Sequence, residues 1–263
     1  MLKKLDNKKI LNEINENGFS IIENYFDKPD LKIIEQNLLD TLNYIDFDTE
    51  KDLKKKYFKI KKENPKLKGK WYDISAFNID MLRFLHSETI INLVKEFFKT
   101  NVVFSGRPAI HVHDGDNDFL LEAHQETKQY ARDFFLFWSP LWDTNPESGG
   151  LALYKNSHKS GYFVHSTDND LGSKKAWTEQ YTHIIDKNVL SKFEKINLEI
   201  KSGSAVLLHS ACIHEGYPMT NKDGLRIVMT ERFNPLKKIP YLKDENAPLK
   251  IPYTGVDYNS IKD

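Results

Sequence analysis

The 263-residue sequence has one cysteine, no long apolar run and no net charge, with 38 Lys and Arg set against 38 Asp and Glu. A lone Cys212 cannot close an internal disulfide, which points to a reducing compartment. No stretch approaches the roughly 20 apolar residues of a membrane span, and the first residues, MLKKLDNKKILNEINENGFS, lack the apolar core of a secretory signal. A cytoplasmic protein with no membrane association is expected. Balanced charge also argues against a nucleic-acid-binding role, because non-specific affinity for polyanions rests on excess Lys and Arg facing phosphates. Arginine is scarce: Arg83, Arg107, Arg132, Arg226 and Arg232 are the only five. Lysine is the ordinary surface cation here, so an arginine at a motif position carries more information.

What is present is enough for a folded core, since 40% of residues are hydrophobic and 12% aromatic, well above a disordered composition. A single domain over 1–263 is expected, with a mainly helical part (1–100), a β core (101–234) and a C-terminal extension (235–263). Apolar spacing predicts helices over 3–17, stopped by Asn17-Gly18, over 29–44 and over 88–99, with a short strand in GFSIIENYF. From about residue 101 the texture changes to short β-rich runs broken by Gly, Pro, Asn and Asp, the pattern of a sandwich or barrel. The stretch 51–70 holds ten Lys and two acids and reads as a solvated face, or as a cationic rim for an anionic substrate.

Nine histidines raise the question of a metal. His-x-Asp/Glu should arise about once by chance at this composition, and it occurs twice, at His86-Ser87-Glu88 and His124-Gln125-Glu126. Helix capping accounts for the first: Ser87 is a good N-cap and Glu88 suits a first turn. In the second, an extended backbone places His124 and Glu126 on one face, where they can share an ion. His214, in GSAVLLHSACIHEG, is the better of two candidates for a third ligand, the other being His209. The turn Asn221-Lys222-Asp223-Gly224 then predicts a hairpin that brings Arg226 back beside His214. Two imidazoles and one carboxylate on one face of iron form the facial triad of non-haem Fe(II) oxygenases, with positions left for a bidentate 2-oxo acid and dioxygen. A second carboxylate on that acid suits the planar charge of Arg226. The competing reading is a core histidine, a surface glutamate and an arginine paired with some other acid.

With these residues in order, the sequence resembles the phytanoyl-CoA dioxygenase family of Fe(II)- and 2-oxoglutarate-dependent oxygenases over roughly residues 8–234. The matching segments are NGFSIIENYF, AIHVHDGDND followed by HQE, FWSPLWDTNPESGGLALYKNSHKSG, GSAVLLHSACIHEG and Arg226. The resemblance implies a double-stranded β-helix (a cupin-like jelly roll) with flanking helices. It assigns His124, Glu126 and His214 to Fe(II), Arg226 to the distal carboxylate of 2-oxoglutarate, and Trp138 to a place near that cosubstrate. Two departures stand out: Glu126 replaces the family's usual Asp, and Lys155-Asn156-Ser157-His158-Lys159 replaces Pro-Gly-Ser-His-Lys.

The implied reaction is hydroxylation of an unactivated C–H bond, consuming O2 and releasing succinate and carbon dioxide. Retention of a carboxylate at 126 favours hydroxylation over halogenation. His111, His113 and Tyr130 are pocket candidates, and with Arg and Thr on the strand RIVMTERF they suggest a small polar metabolite. A fatty acyl-coenzyme A ester, its phosphates on the 51–70 lysines, is the alternative substrate; a non-catalytic jelly-roll ligand-binding module is the alternative of another class. His158 is expected to brace its turn and His209 to pack near His214. Trp177, His165 and His183 fall in an insert suited to substrate selection. The sequence is silent on oligomeric state.

Overall fold

A computed structural model describes residues 5–105, 108–116, 122–125, 135–163, 166–167 and 183–235. The chain begins with α1 (Asn7–Asn17), β1 (Phe19–Ile22), α2 (Lys28–Asp46), α3 (Leu53–Glu63), α4 (Pro65–Ser75), α5 (Ile79–Leu85) and α6 (Glu88–Phe98). Short polar side chains start these helices: Asp6, Asp27, Asp52 and Ser87 accept from the N–H three residues on, at 2.9–3.3 Å. Gly18 ends α1 at φ 91°, which a residue with a Cβ adopts only at a cost.

The helices α3 and α4 occupy sequence that the charge run obscures. Leu53, Lys56, Tyr57 and Ile60 form the buried stripe of α3, so one lysine takes a core position in a helical pattern. Fully buried, Lys56 lies 2.6 Å from Asp46 and 2.8 Å from Asp48. Lys59 also reaches Asp48, and Lys61 reaches Asp114, each at 2.7 Å. The Lys56 and Lys59 hydrogen bonds hold the Asp48 carboxyl well below the usual range. The 51–70 segment is therefore partly neutralised by acids from outside it, and its helices pack on the strand that carries Asp114.

The β core comprises β2 (Val103–Ser105), β3 (Ala109–Asp114), β4 (Phe135–Pro140), β5 (Gly150–Tyr154), β6 (Ser166–Thr167), β7 (His183–Ile184), the short helix α7 (Lys187–Leu190), β8 (Lys195–Leu198), β9 (Ala205–His209), β10 (His214–Tyr217) and β11 (Leu225–Pro235). The larger sheet runs β1-β9-β4-β11-β2, with β3 on the first half of β11; β10-β5-β8 make a smaller sheet. All the pairings are antiparallel.

Alternation along the central strands explains the layering. Phe135 and Phe137 of β4, Ala205 and Leu207 of β9, and Ile227 and Met229 of β11 face a core shared with Ile14, Leu38, Tyr57 and Trp71 of the helices. Their neighbours Leu136, Trp138, Val206, Leu208 and Val228 face the smaller sheet, against Leu151, Leu153 and Leu198. A period of two thus builds a helix layer on one side and a sheet-on-sheet sandwich on the other. This is a mainly β fold of antiparallel sheets with flanking helices, the jelly roll expected.

One expected connection differs. β10 pairs with β5 and β11 with β3 and β4, so 214–235 is not a hairpin. The turn itself forms, with Gly224 N–H donating to Asn221 O at 2.9 Å, and it carries the chain from one sheet to the other.

Candidate active site

His124 and His214 form an isolated antiparallel bridge. Each N–H donates to the other's carbonyl, at 2.9 and 3.1 Å, which holds the rings side by side with centroids 4.4 Å apart. Each Nδ1 meets the carbonyl two residues back: Glu122 O at 2.6 Å for His124 and Cys212 O at 3.0 Å for His214. A carbonyl oxygen can only accept, so each Nδ1 carries a proton, and a neutral ring then presents its lone pair at Nε2. That is the tautomer of a histidine metal ligand oriented by an outer hydrogen bond.

The two histidine segments are clamped together by a residue that sequence reasoning passed over. Gln125 is fully buried. Its Nε2 donates to Ala211 O at 2.6 Å and Gly161 O at 3.0 Å, and its Oε1 accepts from Phe163 N–H at 3.0 Å. Because it alternates with His124 in extended backbone, its amide points away from the ring's side and ties the segment to the approach to His214. Ser157, in the altered turn, accepts from Ile213 N–H at 2.9 Å and secures the other flank.

Both rings line a solvent-connected cavity, about 560 Å³, between the two sheets. β3 contributes His111 and His113, β4 Leu136 and Trp138, β5 Gly150 and Leu151, and β11 Arg226, Val228, Thr230 and Arg232. The polar face expected of RIVMTERF thus lines a cavity, and His214 and Arg226 share it although their strands lie in different sheets.

Arg226 is 6% exposed. Its Nη1 donates to Gly150 O at 3.3 Å, while Nε has no partner among the described residues. Burial pushes its guanidinium down to about 10, still charged at neutral pH. Room for it comes from Gly149, at φ 67°, where a Cβ would stand 2.8 Å from Nη1. His113 faces Arg226 across the β3–β11 ladder. Burial, and then the Arg226 charge, push the His113 ring down to about 3, so it is neutral. Arg232 donates to Thr230 Oγ1 at 3.0 Å.

Glu126 and Tyr130 lie outside the described residues, as do His165 and Trp177; His183 falls in β7 by its backbone. No group of three or more His, Cys, Asp or Glu placed to hold a metal occurs among the described residues. The carboxylate next to His214, Glu215, is engaged by Lys195 and by Tyr154 Oη at 3.2 Å. His158 Nε2 donates to Asn15 O at 2.9 Å, bracing its turn on α1. His209 packs its ring on Phe97 and His158 and accepts from Ala211 N–H. For His86, capping is only part of the account. Ser87 is the N-cap, but the His86 ring also lies 2.6 Å from Oε2 of fully buried Glu231, a tie 145 residues away in sequence that local patterning cannot show.

Known structures share this architecture. The non-heme α-ketoglutarate-dependent epimerase SnoN from nogalamycin biosynthesis superposes with a TM-score of 0.58 at 9% identity, covering 87% of this chain and 82% of that one. AviO1 from Streptomyces viridochromogenes Tue57 gives 0.55 at 13%, over 89% and 97%. EvdO2 from Micromonospora carbonacea var. aurantiaca, complexed with 2-oxoglutarate, gives 0.54 at 14%, over 89% and 92%. At these identities the likeness is one of fold, that of the non-heme 2-oxoglutarate oxygenases. The family follows from the sequence itself: a model of the phytanoyl-CoA dioxygenase (PhyH) family matches residues 14–228, and the chain belongs to that family. It is a 2-oxoglutarate-dependent dioxygenase, using Fe(II), 2-oxoglutarate and O2. No helix of the described residues is long and apolar enough to cross a membrane.

Proposed function

We propose that this dioxygenase hydroxylates an unactivated C–H bond of a small polar metabolite, with His124, Glu126 and His214 holding the iron and Arg226 holding the distal carboxylate of 2-oxoglutarate. The observation that carries the reading is the pair of imidazoles, both fixed as the Nδ1–H tautomer, lining the cavity that Arg226 enters. Bound Fe(II), with 2-oxoglutarate and O2, supplies the oxidising power, and succinate and carbon dioxide leave as co-products.

The chain's own residues do the rest. Outer hydrogen bonds from Nδ1 keep both Nε2 lone pairs directed and make the rings better donors. Arg226, buried and still charged, gives a carboxylate a stronger partner than a solvated cation could. Trp138, 8% exposed on β4, walls the cosubstrate side and limits water there. His111, Thr230 and Arg232 give the remaining wall a hydrogen-bonding character that suits a polar substrate, and Tyr130 is assigned to the same pocket. Pairing of Lys56, Lys59 and Lys61 with Asp46, Asp48 and Asp114 withdraws part of the cationic charge of the 51–70 segment that a coenzyme A ester would use.

The test is succinate release from the iron-loaded enzyme across polar metabolites (amino acids, sugars, natural-product intermediates) and acyl-coenzyme A esters, with Arg226→Ala as control. Substrate-stimulated succinate from a polar metabolite, abolished in the control, is expected. Stimulation by acyl-coenzyme A esters alone would overturn the substrate assignment.

A further inference from the structure

His113 lines the cavity that Arg226 enters, and its position says what it is for. It stands directly opposite Arg226 in the β3–β11 register. Directly paired residues on one face of a ladder have Cβ atoms about 5 Å apart. Both line the same cavity. Each keeps a buried nitrogen with no partner among the described residues: Nδ1 of His113 and Nε of Arg226. Two neighbouring unpartnered polar nitrogens are unusual, because leaving a buried polar group unpaired is costly. A ligand that accepts from both removes that cost.

We infer that His113 is a second binding residue for the distal carboxylate of 2-oxoglutarate, donating from Nδ1 to one carboxylate oxygen while Arg226 serves the other. The assignment rests on the reading of the site given above and deepens it, moving His113 from the substrate's side of the cavity to the cosubstrate's. A neutral ring suits the role. One cation and one neutral donor match a single carboxylate, whereas a second cation would leave surplus buried charge. Gly149 and Gly150 complete the arrangement, since side chains there would meet Arg226 Nη1 and the Tyr217 ring.

The experiment is calorimetric titration of the full chain, loaded with Ni(II) in place of iron, with 2-oxoglutarate and with 2-oxobutyrate, which lacks the distal carboxylate. His113→Leu should weaken 2-oxoglutarate binding about 10- to 100-fold, the size expected for one lost hydrogen bond to a charged group. It should leave 2-oxobutyrate binding and Ni(II) affinity unchanged. His113→Asn, which offers an amide N–H near the position of Nδ1, should recover most of the loss, and unchanged thermal unfolding midpoints would show that both variants fold. Equal 2-oxoglutarate affinity in wild type and His113→Leu, or equal losses for both acids, overturns the assignment while leaving the iron and Arg226 reading intact. Failure of the wild type to bind 2-oxoglutarate at all overturns that underlying reading and this inference with it.

Discussion

His124 and His214 are 90 residues apart in sequence and exchange two main-chain hydrogen bonds, so their rings are set side by side by backbone pairing. The side chains can therefore be changed without undoing what aligns them. A site built this way separates metal affinity from folding, which makes its parts open to test.

Gln125→Ala should damage the centre without touching a ligand. It strips the donor from the buried Ala211 carbonyl and the part-buried Gly161 carbonyl, costing about 2–4 kcal/mol of stability, and frees the segment carrying His124. Metal affinity should fall about 10- to 100-fold, the range for outer-shell partners. Urea unfolding and a metal-competition titration measure the two effects, and a stability loss with unchanged metal affinity would contradict the clamp.

Gly149→Ala places a methyl 2.8 Å from Arg226 Nη1 and strains a residue at φ 67°. Binding of 2-oxoglutarate should weaken at least tenfold while the metal stays bound, because the guanidinium is pushed off its place and His124 and His214 are not. Calorimetry on metal-loaded protein reads both quantities.

The pair of His86 and Glu231 predicts a pH dependence of stability. Burial opposes the charged imidazole, but Glu231 outweighs it and raises the His86 pKa above 6.5. A folded pKa above the unfolded one adds stability that is fully present below about pH 6.5 and is lost as pH rises through the folded value. Urea midpoints of the wild type should therefore fall between pH 6 and pH 8.5 by more than those of His86→Gln. Parallel profiles would remove His86 from the account.

Much of the site was legible in the sequence because its chemistry is carried by residue types that are rare here. Arg226 stood out among five arginines, and the alternation Arg226, Val228, Thr230, Arg232 identified the cavity face of β11. What was not legible was long-range. The partners of Gln125 lie 36 to 86 residues away, and those of His86 and Lys61 are as distant, so no local pattern encodes them. In 51–70, ten lysines masked an ordinary apolar stripe, and the burial of Lys56 depends on Asp46 and Asp48 arriving from the end of α2 and the loop after it. The predicted hairpin failed for a related reason: the turn chemistry was right, but the strands on either side serve different sheets.

The central claim is that His124, Glu126 and His214 hold one iron and Arg226 holds the cosubstrate. Anaerobic titration of the wild type with Fe(II) and then 2-oxoglutarate tests it most directly. One iron and one 2-oxoglutarate per chain are predicted, with His214→Ala losing both and Arg226→Ala losing only the second. Full iron and 2-oxoglutarate binding by His214→Ala would contradict the account.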